Sequence, residues 1–252
     1  MAPELLALPF GIAIGLLLGL VGGGGSILAV PILVYVLGQP VHAATTESLF
    51  IVGVAALAGA AGHARSGNLS TRTALLFGVA GAAGSLVGTA LNRHVGGSAI
   101  LLAFAALLLA AAAAMQRRPP RADRPHDHRY PHLRVTAIGL GTGVLTGFFG
   151  VGGGFVIVPA LVLLLDLPMP RAVGTSLAVI ALTSTAALAA HLAGGQIAWT
   201  IATAFAAAAV AGALVGRRLS TGLNQPRLRS IFATMLVGVA LLLLVENTAA
   251  LI

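Results

Sequence analysis

Moved along itself by 128 positions, this sequence falls back into register. Gly19 lands on Gly147, Gly22 on Gly150, Gly24 on Gly152, Gly25 on Gly153 and Pro31 on Pro159. Further on, Pro40 meets Pro168, Ser48-Leu49 meets Ser176-Leu177, His63 meets His191, and Gly67 meets Gly195. Gly84 and Gly88 meet Gly212 and Gly216. The register never slips, so the chain is an internal duplication, and whatever one half builds the other builds again.

Each half is cut into the same pieces. In the first, short apolar segments near 5–21 and 26–37 flank a glycine cluster, and longer runs follow near 43–64, 71–91 and 97–115. The three longer runs are long enough to span about 30 Å of hydrocarbon as helices. Composition agrees: 58% of the residues are hydrophobic and 8% charged, against about 25% charged in soluble domains. The expected fold class is an all-α polytopic membrane protein in the cytoplasmic membrane. The opening "MAPELLALPFGIAIG" lacks a basic stretch and a cleavage site. It reads as the first membrane segment, not a signal peptide.

One stretch is strongly polar, "QRRPPRADRPHDHRYPHLR" at 116–134. It reads as a linker between a first transmembrane repeat at 1–115 and a second at 135–252. All fourteen basic residues are Arg, and the net charge is +8. The charge fits loops facing anionic headgroups, so the expected partner is the bilayer and not nucleic acid. With the linker cytoplasmic, parallel repeats would leave six Arg outside. Inverted repeats with both termini outside leave only Arg93 there and thirteen inside. The positive-inside rule therefore selects inverted repeats. It leaves open whether each glycine-interrupted pair crosses fully or dips in as a re-entrant hairpin.

A glycine inside a helix costs roughly 1 kcal/mol relative to Ala, so the two clusters need a reason. Paired, broken segments in inverted halves point to a transporter's central site. Irregular backbone at membrane depth survives where it lines a cavity. The second short helix of each pair starts just after its glycines, with unpaired N–H groups at the positive end of its dipole. The side-chain-free backbone of Gly22, Gly23, Gly24, Gly25, Gly150, Gly152, Gly153 and Gly154 lets an anion approach closely. Gly84, Gly88, Gly212 and Gly216 are assigned instead to close helix packing.

"GLVGGGGSILAVP" and "GFFGVGGGFVIVP", followed by "ATTESL" and "AVGTSL", resemble the TauE/SafE family of sulfite exporters and related permeases. The resemblance covers both halves outside the linker. It implies movement of a small sulfur-containing or organic anion across the cytoplasmic membrane. The first half departs from the pattern: Glu47 stands opposite Thr175, and Ser26 opposite Gly154.

Intramembrane ionisable residues are functional candidates. Glu47, His63 and His191 are the candidates for proton coupling or gating. For the two histidines the simpler reading is a cap on each helix C-terminus. Ser26, Thr46, Ser48, Thr175 and Ser176 can line the site with hydroxyls, or bond back to their own helices. Trp199 reads as an interfacial anchor.

No cysteine is present, which excludes disulfides and thiolate sites. The linker's "HDHRYPH" is too solvated a tract to count as a metal site. The sequence carries no nucleotide-binding P-loop, no zinc-protease HExxH and no cofactor motif. The expectation is therefore not an enzyme but a secondary transporter of a small anion, which the resemblance implies to be sulfite, an organosulfonate or a similar anion. A passive anion channel and a membrane-embedded assembly partner are the alternatives, and homo-oligomerisation stays open.

Overall fold

The computed structural model describes residues 3–92, 97–117, 131–149, 154–191 and 198–249. Among the described residues the chain is all helical. The first half holds α1 (Pro3–Val21), α2 (Gly25–Pro31), α3 (Val41–Arg65), α4 (Thr71–Asn92) and α5 (Gly97–Arg117). The second holds α6 (His132–Phe149), α7 (Gly154–Leu163), α8 (Met169–His191), α9 (Trp199–Gly222) and α10 (Gln225–Ala249). Six of them, α3, α4, α5, α8, α9 and α10, are long and apolar enough to cross a membrane. The all-α polytopic architecture expected from the sequence is present. Exposed Leu57, Leu75, Leu86 and Val245 on these helices suit a lipid-facing surface.

Prolines punctuate both halves in the same way. Pro40 and Pro168 stand immediately before α3 and α8, and their carbonyls accept the Ala44 and Ala172 amides at 2.9 Å each. After Pro31 the helix continues as a π-helical turn, Ile32–Val36, in which the Leu37 amide reaches Ile32 O at 3.1 Å. The equivalent Pro159 lies inside α7, which runs on as an α-helix to Leu163. Beside the polar stretch, α5 runs to Arg117 and α6 starts at His132. The Pro131 carbonyl accepts the Arg134 and Val135 amides at 3.0 and 3.2 Å, which starts α6 at His132.

Small residues set how closely the helices pack. Along α1, Gly11, Gly15 and Gly19 lie against Phe205, Ala209 and Ala213 of α9. Gly212 and Gly216 return the contact to Ile12 and Leu16. The register rises together on both helices, so α1 and α9 run parallel. The equivalent pair behaves identically: Gly139, Gly143 and Gly147 of α6 meet Phe77, Gly81 and Ser85 of α4, and Gly84 and Gly88 press on Leu140 and Val144. Backbone lies on backbone at these points, the packing mode open to helices in lipid. The packing role expected for Gly84, Gly88, Gly212 and Gly216 is the one they have.

The two halves also meet through α3 and α8, which occupy equivalent positions in the duplication. Gly53 lies against Ser184, and Gly59 against Leu177. The register falls on one helix as it rises on the other, so these equivalent helices run antiparallel.

Candidate functional site

The first glycine tip begins where α1 ends. The Gly22 amide still bonds Leu18 O at 2.7 Å, but Gly22 has φ +83°, a conformation that ends the helix and suits glycine. Ser26 then turns back: its hydroxyl donates to Gly23 O at 2.7 Å and its amide reaches the same oxygen at 3.3 Å. Gly24 is the N-cap of α2 and supplies no side-chain cap.

The tip of the second half comes to this point. A Cβ on Gly23 would run into the Gly154 carbonyl. One on Gly154 would lie 2.8 Å from both Gly23 O and Ser26 Oγ. Gly23 therefore touches the first residue of α7 backbone to backbone. Gly150, Gly152 and Gly153 lie outside the described residues. Gly25 packs on Ile14 O of α1, while Gly24 faces the Met235 thioether of α10.

Three consecutive residues of α8 pack on the first half, and the last of them holds the first tip. Gly174 lets the Asn68 carbonyl and the His63 Cβ come close. Thr175 Oγ1 accepts the Ser70 amide at 3.2 Å. Ser176 Oγ donates to Gly22 O at 2.6 Å, with its own-helix Val173 O at 2.8 Å. The "GTSL" element is thus a clamp on the α3–α4 turn, the start of α4 and the glycine tip. In the first half, Thr46 and Ser48 are buried, and Ser48 Oγ bonds back to Thr45 O at 2.8 Å.

Glu47 is fully buried. Its Oε1 accepts the Ala198 amide at 2.9 Å, at the N-cap of α9. Its Oε2 has no partner among the described residues. Beside it, Phe50 meets Trp199 edge-on with ring centroids 5.6 Å apart. Trp199 is exposed.

His63 lies sixteen residues further along α3, about 24 Å away, so the structure does not bring it to Glu47. It does not cap its helix as expected. The ring is fully buried near the Gly19 backbone and Arg217, and neither ring nitrogen has a partner among the described residues. The cap comes instead from α9, where Arg217 Nη1 reaches Gly62 O at 3.3 Å and Ser66 Oγ at 3.4 Å. His191 ends α8, and its side chain lies outside the described residues.

Arg217 and Met235 were not singled out from the sequence. Nothing in the sequence marks Met235; its counterpart in the duplication, Leu107, lines a cavity of about 280 Å³ between α5, α6 and α7. That cavity is apolar apart from residues such as Thr142 and does not suit a charged ligand.

A bundle of apolar helices in which a glycine-rich break meets the start of the equivalent short helix of the other half suits a membrane transporter. The comparisons with known proteins agree. The chain matches the family described as sulfite exporter TauE/SafE over residues 7–243. It is 33% identical over 249 residues to a probable membrane transporter protein of Xylella fastidiosa strain Temecula1, covering 95% of this chain and 94% of that one. It is 26% identical over 244 residues to the probable membrane transporter protein YdhB of Bacillus subtilis, covering 91% and 96%. It is 28% identical over 258 aligned positions to a probable membrane transporter protein of Methanocaldococcus jannaschii, covering 95% and 96%. The chain belongs to the TauE/SafE family and is a multi-pass membrane transporter.

Proposed function

We propose that this chain is a secondary transporter of a small anion, such as sulfite or an organosulfonate, and that the anion binds where the two glycine tips meet. The observation that carries the reading is the contact of Gly23 with Gly154, flanked by the Ser26 and Ser176 hydroxyls. Only side-chain-free backbone packs that closely, and amides at helix starts favour negative charge. The site residues on this reading are Gly22, Gly23, Gly24, Gly25, Ser26, Thr46 and Ser48 from the first half. From the second half they are Gly150, Gly152, Gly153, Gly154, Thr175 and Ser176.

On the same reading the halves are inverted repeats, with the linker cytoplasmic and both ends outside. Two observations support it. The equivalent helices α3 and α8 run antiparallel. Arg65, Arg117, Arg134, Arg171, Arg217, Arg218, Arg227 and Arg229 all sit near helix ends that this arrangement puts on the linker side. Glu47, a buried carboxyl with a spare oxygen, is the residue through which a proton couples to the anion.

A thermal-shift screen of the purified protein tests the anion site. The probes are sulfite, sulfate, thiosulfate, an alkyl sulfonate and simple carboxylates. A ligand that binds only the folded state raises its stability. At least one of these anions is expected to raise the melting temperature in wild-type protein and not in Gly23→Val. A panel with no effect on wild type defeats the proposal.

A further inference from the structure

The hydrogen bonds of Glu47 and Thr175 are the same bond made twice. The two acceptors are equivalent in the duplication, and so are their donors, Ala198 and Ser70. Each bond crosses between halves. Glu47 of α3 takes the amide at the start of α9, and Thr175 of α8 takes the amide just before α4. Both acceptors lie seven positions into their helices or fewer, and α3 and α8 run antiparallel. The two bonds therefore lie toward opposite ends of the helix pair.

We propose that these bonds are a matched pair of latches, each holding one of the two opposite ends of the α3–α8 pair closed against the other half. The Thr175 latch is tied to the first tip through its neighbour, since Ser176 holds Gly22 O. Releasing the start of α4 from α8 also loosens the clamp on that tip. The Glu47 latch ties the start of α9 to α3 in the same way at the other end. A carboxyl group offers two oxygens where a threonine offers one, and Oε2 of Glu47 is buried without a partner among the described residues. The two latches are thus alike in placement and unlike in chemistry. An ionised acceptor makes a stronger bond than a hydroxyl. The end held by Thr175 opens more readily than the end held by an ionised Glu47. The inference adds to the transporter reading the means by which its two faces open separately.

The chain has no cysteine, so single reporters can be placed cleanly. Ala44 and Ala172 are equivalent, fully buried, and one turn before Glu47 and Thr175 respectively. The full chain carrying Ala44→Cys or Ala172→Cys is purified in detergent and reacted with a water-soluble maleimide. Glu47→Ala should speed labelling of the Ala44→Cys reporter by about fivefold or more and leave the Ala172→Cys reporter unchanged. Thr175→Val should do the reverse. Ala198→Pro removes the same amide that Glu47 accepts, at a residue whose φ of −76° proline can adopt. It should reproduce Glu47→Ala, and it keeps the test standing if that variant does not fold. Equal acceleration at both reporters, or none at either, overturns the proposal. Labelling needs no substrate, so failure here is separate from failure of the anion site, which the thermal-shift screen reads.

Discussion

The Ser176 hydroxyl of α8 lies 2.6 Å from the carbonyl oxygen of Gly22, 154 residues earlier in the chain. The bond joins the two halves at the one residue of the first tip with a positive φ. Ser176→Ala leaves that buried carbonyl without its donor, at a cost of about 1–3 kcal/mol. The variant should melt at a lower temperature than wild type in the same detergent. It should also bind the best anion more weakly, because the tip it held is looser. An unchanged melting curve would show that water or a neighbouring group satisfies Gly22 O equally well.

Gly23 and Gly24 are adjacent and face different neighbours. Gly23 abuts backbone, the Gly154 carbonyl, whereas Gly24 abuts the flexible end of Met235. Gly23→Ala should therefore abolish binding whatever else is changed. Gly24→Ala should be largely restored by Met235→Ala, which vacates the space. Binding titrations of the two single variants and the double variant check this. Gly88→Ala is the control: it meets Val144 O and Phe148 N of α6, so it should lower stability and leave the affinity of folded protein unchanged.

Much of this arrangement could be read before any coordinates. The apolar runs near 43–64, 71–91 and 97–115 became α3, α4 and α5, because a run that must cross hydrocarbon has to satisfy its backbone within itself. Gly84 and Gly88 announced a packing face. The same signal in Gly11, Gly15 and Gly19, and in Gly139, Gly143 and Gly147, was equally visible at a spacing of four. The partners of polar residues were not legible. Glu47 and Ala198 are 151 positions apart, and nothing local selects one for the other. His63 was expected to cap its own helix, but Arg217 from α9 reaches the carbonyl first. The duplication does constrain such pairs: once Ser70 is known to meet Thr175, Ala198 is the place to look for the partner of Glu47.

Glu47 should make anion binding depend on pH. Proton coupling through Glu47 means that anion binding favours its protonated form, and that protonation tightens binding by the same factor. Wild-type affinity should fall as pH rises through the titration of Glu47. Glu47→Gln keeps an oxygen for the Ala198 amide and cannot ionise. It should retain binding, flatten the pH dependence and lose proton-driven accumulation. The comparison is affinity against pH for both proteins, with a probe anion that does not itself titrate over the range. Superimposable curves would make Glu47 a structural residue.

Inverted repeats make a definite statement about sides. Single cysteines at positions 2, 125 and 250 can be labelled in intact cells with an impermeant reagent. The first and last should react, and the middle one should be protected until the cells are opened. Reaction at 125 with protection at both ends would reverse the assignment.

The central claim is that an anion crosses at the meeting point of the two tips, and flux through that point is its most direct measurement. Purified protein is reconstituted into liposomes, and uptake of radiolabelled sulfite, thiosulfate, an alkyl sulfonate and a carboxylate is followed against empty vesicles. Wild type should carry at least one of them in a saturable way. Gly23→Val, reconstituted to the same level and shown to be folded, should carry none. Equal flux in Gly23→Val and wild type, or no flux of any probe through folded wild type, would contradict the account.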